Sequence, residues 1–467
     1  MSSENEDIEV PLLDESIETS TSGASVSSTC LIILSIYVGL GLLSQPYGLR
    51  LGGWIGLISL LSTAALFFCS ATLLAKACDF LPPGHAQTFP VLGHALAGNA
   101  GRAGVTLLAG FELFGAIMIG LVIVLQQLEL LLPREGLFTL SPLVLACIIA
   151  VSGLIPTLAF QDVSRLAPIA AAGSGASAAV AIAVLSLPLV DPERQSVHQP
   201  PAPHAVAHWP GLLQSVGIFA VSMSGHSSLP SIRSKMQHPR RFPRALGASF
   251  AIMAGVYAVV ASAGYYYWGD AVSPLITFDL ATNSAYSSLT TTAGARSSNR
   301  AGLINGQVWW QQWIQIDRIL ASLILITCSA KVPALVMVVE ELIKGVLPAR
   351  TRQEAFAADV SFHRLQQHEA HSQTWLQRKS QFLSRVAIAG CALALGVPAR
   401  NQLGSVLSLV GGACSMSTSL VLPVAFYTKL SWETHSNAGK VGLSGILVLG
   451  SVLLAQVTYQ VARQFWS

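Results

Sequence analysis

Gly39-Leu40-Gly41-Leu42-Leu43-Ser44-Gln45-Pro46-Tyr47 lies inside an apolar run long enough to cross a bilayer, yet it cannot be wound as one uninterrupted helix. Glycine loses more backbone freedom than any other residue when a helix forms, and proline lacks the amide that the preceding turn needs. A second run carries Ser222-Met223-Ser224-Gly225-His226-Ser227-Ser228-Leu229-Pro230, which joins glycine and proline to a cluster of hydroxyls. A broken backbone at membrane depth leaves peptide groups without partners. The bilayer tolerates that only where the chain lines an internal cavity. Two such breaks predict a polar site inside the protein.

Working outward from them, apolar runs fall at 30–49, 54–77, 104–130, 141–158, 166–188, 211–229, 245–268, 317–340, 383–398, 402–427 and 440–461. A transmembrane helix needs roughly 20 apolar residues. With 467 residues, 52% of them hydrophobic and 10% charged, the chain reads as an all-α polytopic membrane protein of about 11 transmembrane helices. This composition excludes a soluble enzyme, a disordered regulator and a nucleic-acid binder. Residues 1–29 hold seven acidic side chains and no Lys or Arg, which predicts a disordered cytosolic tail rather than a leader peptide. Leu12-Leu13 within it is a weak match to a dileucine sorting signal. Of the Lys and Arg residues outside the spans, 17 share a side with the N-terminus and 8 lie opposite, which places the N-terminus in the cytosol. The loop at 341–382 is charged and falls on the cytosolic side. The seven cysteines form no CxxC pair and read as small core residues.

The broken runs are the first and the sixth, so they hold equivalent places in two five-helix halves, 30–188 and 211–427, followed by an extra helix at 440–461. Together with that extra helix the halves make a transmembrane domain over 30–463. Paired interruptions at matching positions point to a transporter with inverted repeats. An unwound turn offers N–H groups at the start of its second half-helix, which suit a carboxylate, while the opposing carbonyls suit an ammonium group or a cation. The candidate substrate-binding residues are therefore Ser35, Gly39, Leu40, Gly41 and Ser44 in the first run, with Ser222, Ser224 and Gly225 in the sixth. The Walker A pattern is absent, and no His, Asp or Glu cluster falls on adjacent runs, so neither ATP hydrolysis through a P-loop nor an intramembrane enzyme is expected. His368-Glu369-Ala370-His371 is one residue short of a zinc signature, and the prolines around His198, His204 and His208 oppose a helical metal site. No metal or cofactor is expected.

The chain resembles the amino acid/auxin permease family, and within it the vacuolar amino acid transporters. The likeness runs through Gly39-x-Gly41-x-x-Ser44-x-Pro46-Tyr47 with Gly53-Trp54, and through Gly225-His226-x-x-Leu229-Pro230-x-Ile232-x-x-x-Met236-x-x-Pro239-x-x-Phe242. It continues at Gly264-Tyr265, Trp268-Gly269-Asp270, Ser329-x-Lys331 and Leu403-Gly404-Ser405-Val406. The resemblance implies a LeuT-like 5+5 inverted repeat plus one helix, carrying amino acids with proton coupling by symport or antiport in a vacuolar or other endomembrane. The family commonly has Asn where this chain has Ser35, which bears on substrate choice and on any sodium site.

Three ionisable residues inside apolar runs are candidates for coupling, because burying charge is costly. Glu112 reads as a proton carrier, or as a carboxylate that reaches cytosolic water or pairs with a basic residue. His226 titrates near neutral pH when exposed and suits a proton-coupled gate, or it is a neutral ring bonded to loose carbonyls. In LeuT-like folds a cation position lies between spans one and eight. The Lys331 ammonium could fill it and favour protons over sodium; the alternative is a lysine snorkelling to an interface or serving as an ion-pair partner. The expected function is a proton-coupled secondary transporter of amino acids. The competing reading is a membrane receptor that senses amino acids with the same fold.

Overall fold

The computed structural model describes residues 23–81, 87–131, 141–158, 167–190, 204–281, 316–346 and 375–466. The acidic stretch up to residue 22, His198, the interfacial belt expected at Trp309, Trp310 and Trp313, and the charged loop from 347 to 374 with His363, His368 and His371 lie outside the described residues.

The helices are α1 (Val26–Tyr37), α2 (Gln45–Gly52), α3 (Ile55–Ala77), α4 (Phe89–Leu131), α5 (Pro142–Leu158), α6 (Ala167–Val190), α7 (Trp209–Ser222), α8 (Leu229–Ser234) and α9 (Phe242–Trp268). After these come α10 (Ile276–Ala281), α11 (Ile316–Val346), α12 (Trp375–Ala399), α13 (Leu403–Leu409), α14 (Leu422–Ser431) and α15 (Asn437–Trp466). Among the described residues the strand-like pairing is an isolated parallel bridge between Ala24 and Met236. The protein is all-α.

Among the described residues six helical stretches are long and apolar enough to cross a membrane, and α1 with α2, bent by 54°, makes a seventh if the pair is taken as one broken span. Length and hydropathy do not score the sixth run in this way, because its break divides it into α7 and α8. The apolar stretches Leu143–Ser152 and Gly175–Ser186 are also short. Large apolar side chains such as Leu31, Ile58, Phe111 and Val441 are exposed, while Tyr257, Tyr265 and Phe219 are fully buried. That arrangement suits a bundle whose outer solvent is lipid.

Several bounds differ from the sequence reading: α4 starts at Phe89 rather than 104 and is broken at Ala97-Gly98, and α12 starts at Trp375, inside the loop expected at 341–382. α1 begins at Val26, four residues before the apolar run at Cys30, because Ser25 caps it by accepting from the Ser28 N–H at 3.2 Å. Ser27, Ser28 and Thr29 lower the hydropathy without ending the helix. The tenth run is not a plain helix either. Between α13 and α14 the backbone widens into π-helical turns at Val410–Ser415 and Ser417–Val421, a form that gathers at functional sites.

On the side expected to face away from the cytosol, α10 is anchored beside the end of α2. Arg50 donates to Val272 O at 2.6 Å, while the Asp279 carboxylate accepts from Ser273 N–H at 2.8 Å and Ser273 Oγ at 2.6 Å. Burial nevertheless pushes the Asp279 carboxyl up to about 6, outweighing the Ser273 hydrogen bonds and the Arg50 charge. The folded segment thus holds the Asp279 proton more tightly than an opened one does. Its stability falls as pH rises from the ordinary carboxyl value of 3.8 to about 6, then levels off. Amide exchange across residues 273–281, corrected for intrinsic rates, is expected to be faster at neutral pH than in acid. Asp279→Asn should remove most of that difference, and a difference that persisted in the variant would assign the titration to another group.

Candidate substrate site

α1 stops at Tyr37. Val38 turns to an extended conformation and closes the helix by donating its N–H to Leu34 O at 2.7 Å. A tight 3₁₀ turn, Leu40–Ser44, restarts the chain, with the Leu42 N–H on Gly39 O at 3.0 Å, and Pro46 then sits in the first turn of α2 where no donor is needed. A helix end leaves its last carbonyls without partners. Here Lys331 of α11 supplies a cation to them, with Nζ 3.2 Å from Val38 O and 3.4 Å from Ser35 O. A positive charge at the C-terminal end of a half-helix is favourable. A Cβ on Gly39 would lie 1.7 Å from that Nζ, so the lysine occupies the space a side chain would take.

The sixth run breaks in the same manner. α7 ends at Ser222, Met223 and Ser224 are non-helical, and Gly225 adopts φ +142°, which an L side chain rarely adopts. A short 3₁₀ turn, His226–Ser228, leads into α8. The two breaks touch. A Cβ on Gly41 would meet Ser222 Cα at 2.6 Å, and Ser222 Oγ reaches Gly41 O at 3.3 Å as well as Ile218 O at 2.8 Å. Between the broken helices, the Tyr257 hydroxyl of α9 lies 2.7 Å from Tyr37 O and 3.0 Å from Ser222 O.

His226 is fully buried. Its Nε2 lies 3.0 Å from Phe67 O, which can only accept, so that nitrogen carries a proton. Nδ1 faces the Tyr37 hydroxyl at 3.5 Å. Glu112 does not reach cytosolic water. It is 3% exposed, and its Oε2 accepts from Thr418 Oγ1 at 2.7 Å in the π-helical stretch. The hydroxyls of Ser415 and Ser224 face the same carboxylate, while Oε1 has no hydrogen-bond partner among the described residues. Ser44 Oγ is likewise buried and without a partner there. Ser224 Oγ caps its own turn on Val221 O at 2.9 Å.

Of the residues expected from sequence, Gly39, Leu40, Gly41, Ser222, Ser224 and Gly225 form the two breaks, and Ser44 closes the turn between them and α2. Ser35 sits differently: its side chain is exposed and bonded to Ile32 O at 2.8 Å, so its carbonyl rather than its hydroxyl meets Lys331. The sequence reading missed Tyr257 and Thr418. Each is a polar group inside an apolar run, and that was the signal available.

The sequence pattern of the family described as transmembrane amino acid transporter protein matches residues 22–463. The chain belongs to this family. Family members are named as transporters, not enzymes, and the chain is a multi-pass integral membrane protein. It is 31% identical over 251 residues to amino acid transporter AVT1B of Arabidopsis thaliana, a match covering 53% of this chain but 45% of that relative. Over this match, the chain spans less than half of the relative's length. Amino acid transporter AVT1J of the same plant is 24% identical over 451 residues, covering 95% of this chain and 92% of that one. Among solved structures, MhsT in complex with L-phenylalanine superposes with a TM-score of 0.52 at 16% identity, covering 94% of this chain and 99% of that chain. The chain therefore has the LeuT-like fold.

Proposed function

We propose that this chain is a secondary active transporter of amino acids, coupled to protons, that gives alternating access to a site between its two broken helices. The observation that carries the reading is the contact of the two breaks, Gly41 against Ser222, with a buried Ser44 hydroxyl that has no partner among the described residues beside them and the buried Glu112 carboxylate facing Ser224. Buried polar atoms without partners call for an explanation, and a zwitterion supplies one. Its carboxylate would take the N–H groups of Gly39, Leu40 and Gly41. Its ammonium would take Ser222, Ser224 and the neighbouring carbonyls near Gly225.

The pattern of polar ties supports a motion of two bodies. One set joins the broken helices to α3 and α9: Tyr257 to Tyr37 and Ser222, His226 to Phe67, Ser249 to Cys30 O, and Arg233 to Asp79. Another set joins α4, α6, α11, α12 and the tenth run: Glu112 with Thr418, Gln126 with Arg400 O, Ser177 with Thr327, and Arg385 with Glu340. Lys331 on Val38, Ser70 on Ser419 O, Ser408 on Gln214 O and Ser224 facing Glu112 cross between the two sets. In this reading Glu112 carries the proton, Lys331 stands where a sodium ion would otherwise sit, and His226 links the sixth break to α3. The eleven-span arrangement, the 30–188 and 211–427 repeats, the cytosolic N-terminus and a vacuolar or other endomembrane location belong to the same proposal.

The test is uptake of a labelled amino acid panel into proteoliposomes, with a pH gradient of either sign and with sodium present or absent. Uptake driven by the pH gradient without sodium is expected. Transport that needs sodium alone would overturn the coupling. Ligand binding with no flux would overturn transport and favour a sensor.

A further inference from the structure

We infer that Tyr257 is a positioning residue that sets the register of both interruptions by holding the terminal carbonyl of each broken helix on one hydroxyl. Tyr37 is the last residue of α1 and Ser222 the last of α7, so both carbonyls are among those that a helix end leaves without a partner. At both ends, neighbouring carbonyls have local solutions. Leu34 O takes the Val38 N–H, while Phe219 O and Ala220 O both take the Met223 N–H. Tyr37 O and Ser222 O instead converge on Tyr257, at 2.7 and 3.0 Å. The tyrosine is fully buried and stands on α9, which runs unbroken for 27 residues. A phenol has one proton, so the two carbonyls share it, and a displacement of one break is felt at the other through a rigid helix. The groups offered to a ligand at Gly39–Gly41 and at Ser222–Gly225 are backbone groups for the most part. Their spacing follows from where Tyr257 holds the two helix ends.

The functional half of this inference rests on the transport reading; the structural half does not. Tyr257→Phe removes one oxygen and leaves two buried carbonyls short of a donor. Amide exchange at residues 38–41 and 223–226 is expected to rise about tenfold at both breaks. Tyr265→Phe on the same helix, whose hydroxyl serves Asp270 and Ala205, should leave both unchanged. In proteoliposomes Tyr257→Phe should raise KM about tenfold at equal protein level, whereas a purely structural role would lower the number of working transporters and leave KM alone. Unchanged exchange at either break would overturn the inference. Wild-type protein that moves no amino acid would sink the transport reading while the exchange result still decides Tyr257. Should the phenylalanine variant fail to accumulate, 3-fluorotyrosine at 257, a stronger donor, is expected to slow exchange at both breaks, and no change there would overturn the inference equally.

Discussion

Gly41→Ala is expected to cut amino acid uptake to about a hundredth of wild type while the protein still reaches the membrane. The added Cβ would sit 2.6 Å from Ser222 Cα and equally close to its Cβ and Oγ. A flexible side-chain end could swing away, but the Cα cannot move without the end of α7. Moving that end pulls Ser222 O from Tyr257 and shifts the sixth break against the first. The clash falls on the contact between the breaks, so its cost is taken by the site rather than spread through the core. Gly255→Ala is the control, since a Cβ there meets nothing within 4 Å. Uptake by Gly41→Ala within tenfold of wild type would mean that the two breaks do not need to touch.

The breaks were readable because glycine and proline fail in a helix for local reasons, which need no knowledge of neighbours. The same holds for the apolar runs, whose side chains face either lipid or one another. Tyr257 was not readable as a functional residue. In Gly255-Val256-Tyr257-Ala258 it is one aromatic in a helical apolar run, and its meaning comes from Tyr37 and Ser222, which are distant in sequence. The π-helical turns were hidden for a related reason. Gly411-Gly412 and the serines at 415, 417 and 419 fit an ordinary span, and the widening arises where Gly411 packs against Gly217 O and where Ser419 O receives Ser70. Glu112 was legible as a candidate but not as a buried one, since hydropathy alone does not place a carboxylate toward Thr418 rather than toward water.

Lys331→Met should lower pH-driven uptake at least about tenfold, the cost of removing a charged donor from buried acceptors. Methionine keeps the bulk beside Gly39 and keeps the α11 packing, so the change isolates the charge. The carbonyls of Val38 and Ser35, now 3.2 and 3.4 Å from Nζ, would face an apolar tip at the negative end of α1. Nothing else in the described residues is placed to donate to both. A smaller hydroxyl residue behaves differently: Lys331→Ser opens space next to two carbonyl oxygens and adds a third oxygen ligand, a donor set that suits a sodium ion. Uptake by Lys331→Ser is therefore expected to become sodium-stimulated, while that of Lys331→Met stays low with or without sodium. If pH-driven uptake survived both replacements unchanged, the ammonium would be a structural anchor for α1 and the proton would have to couple elsewhere.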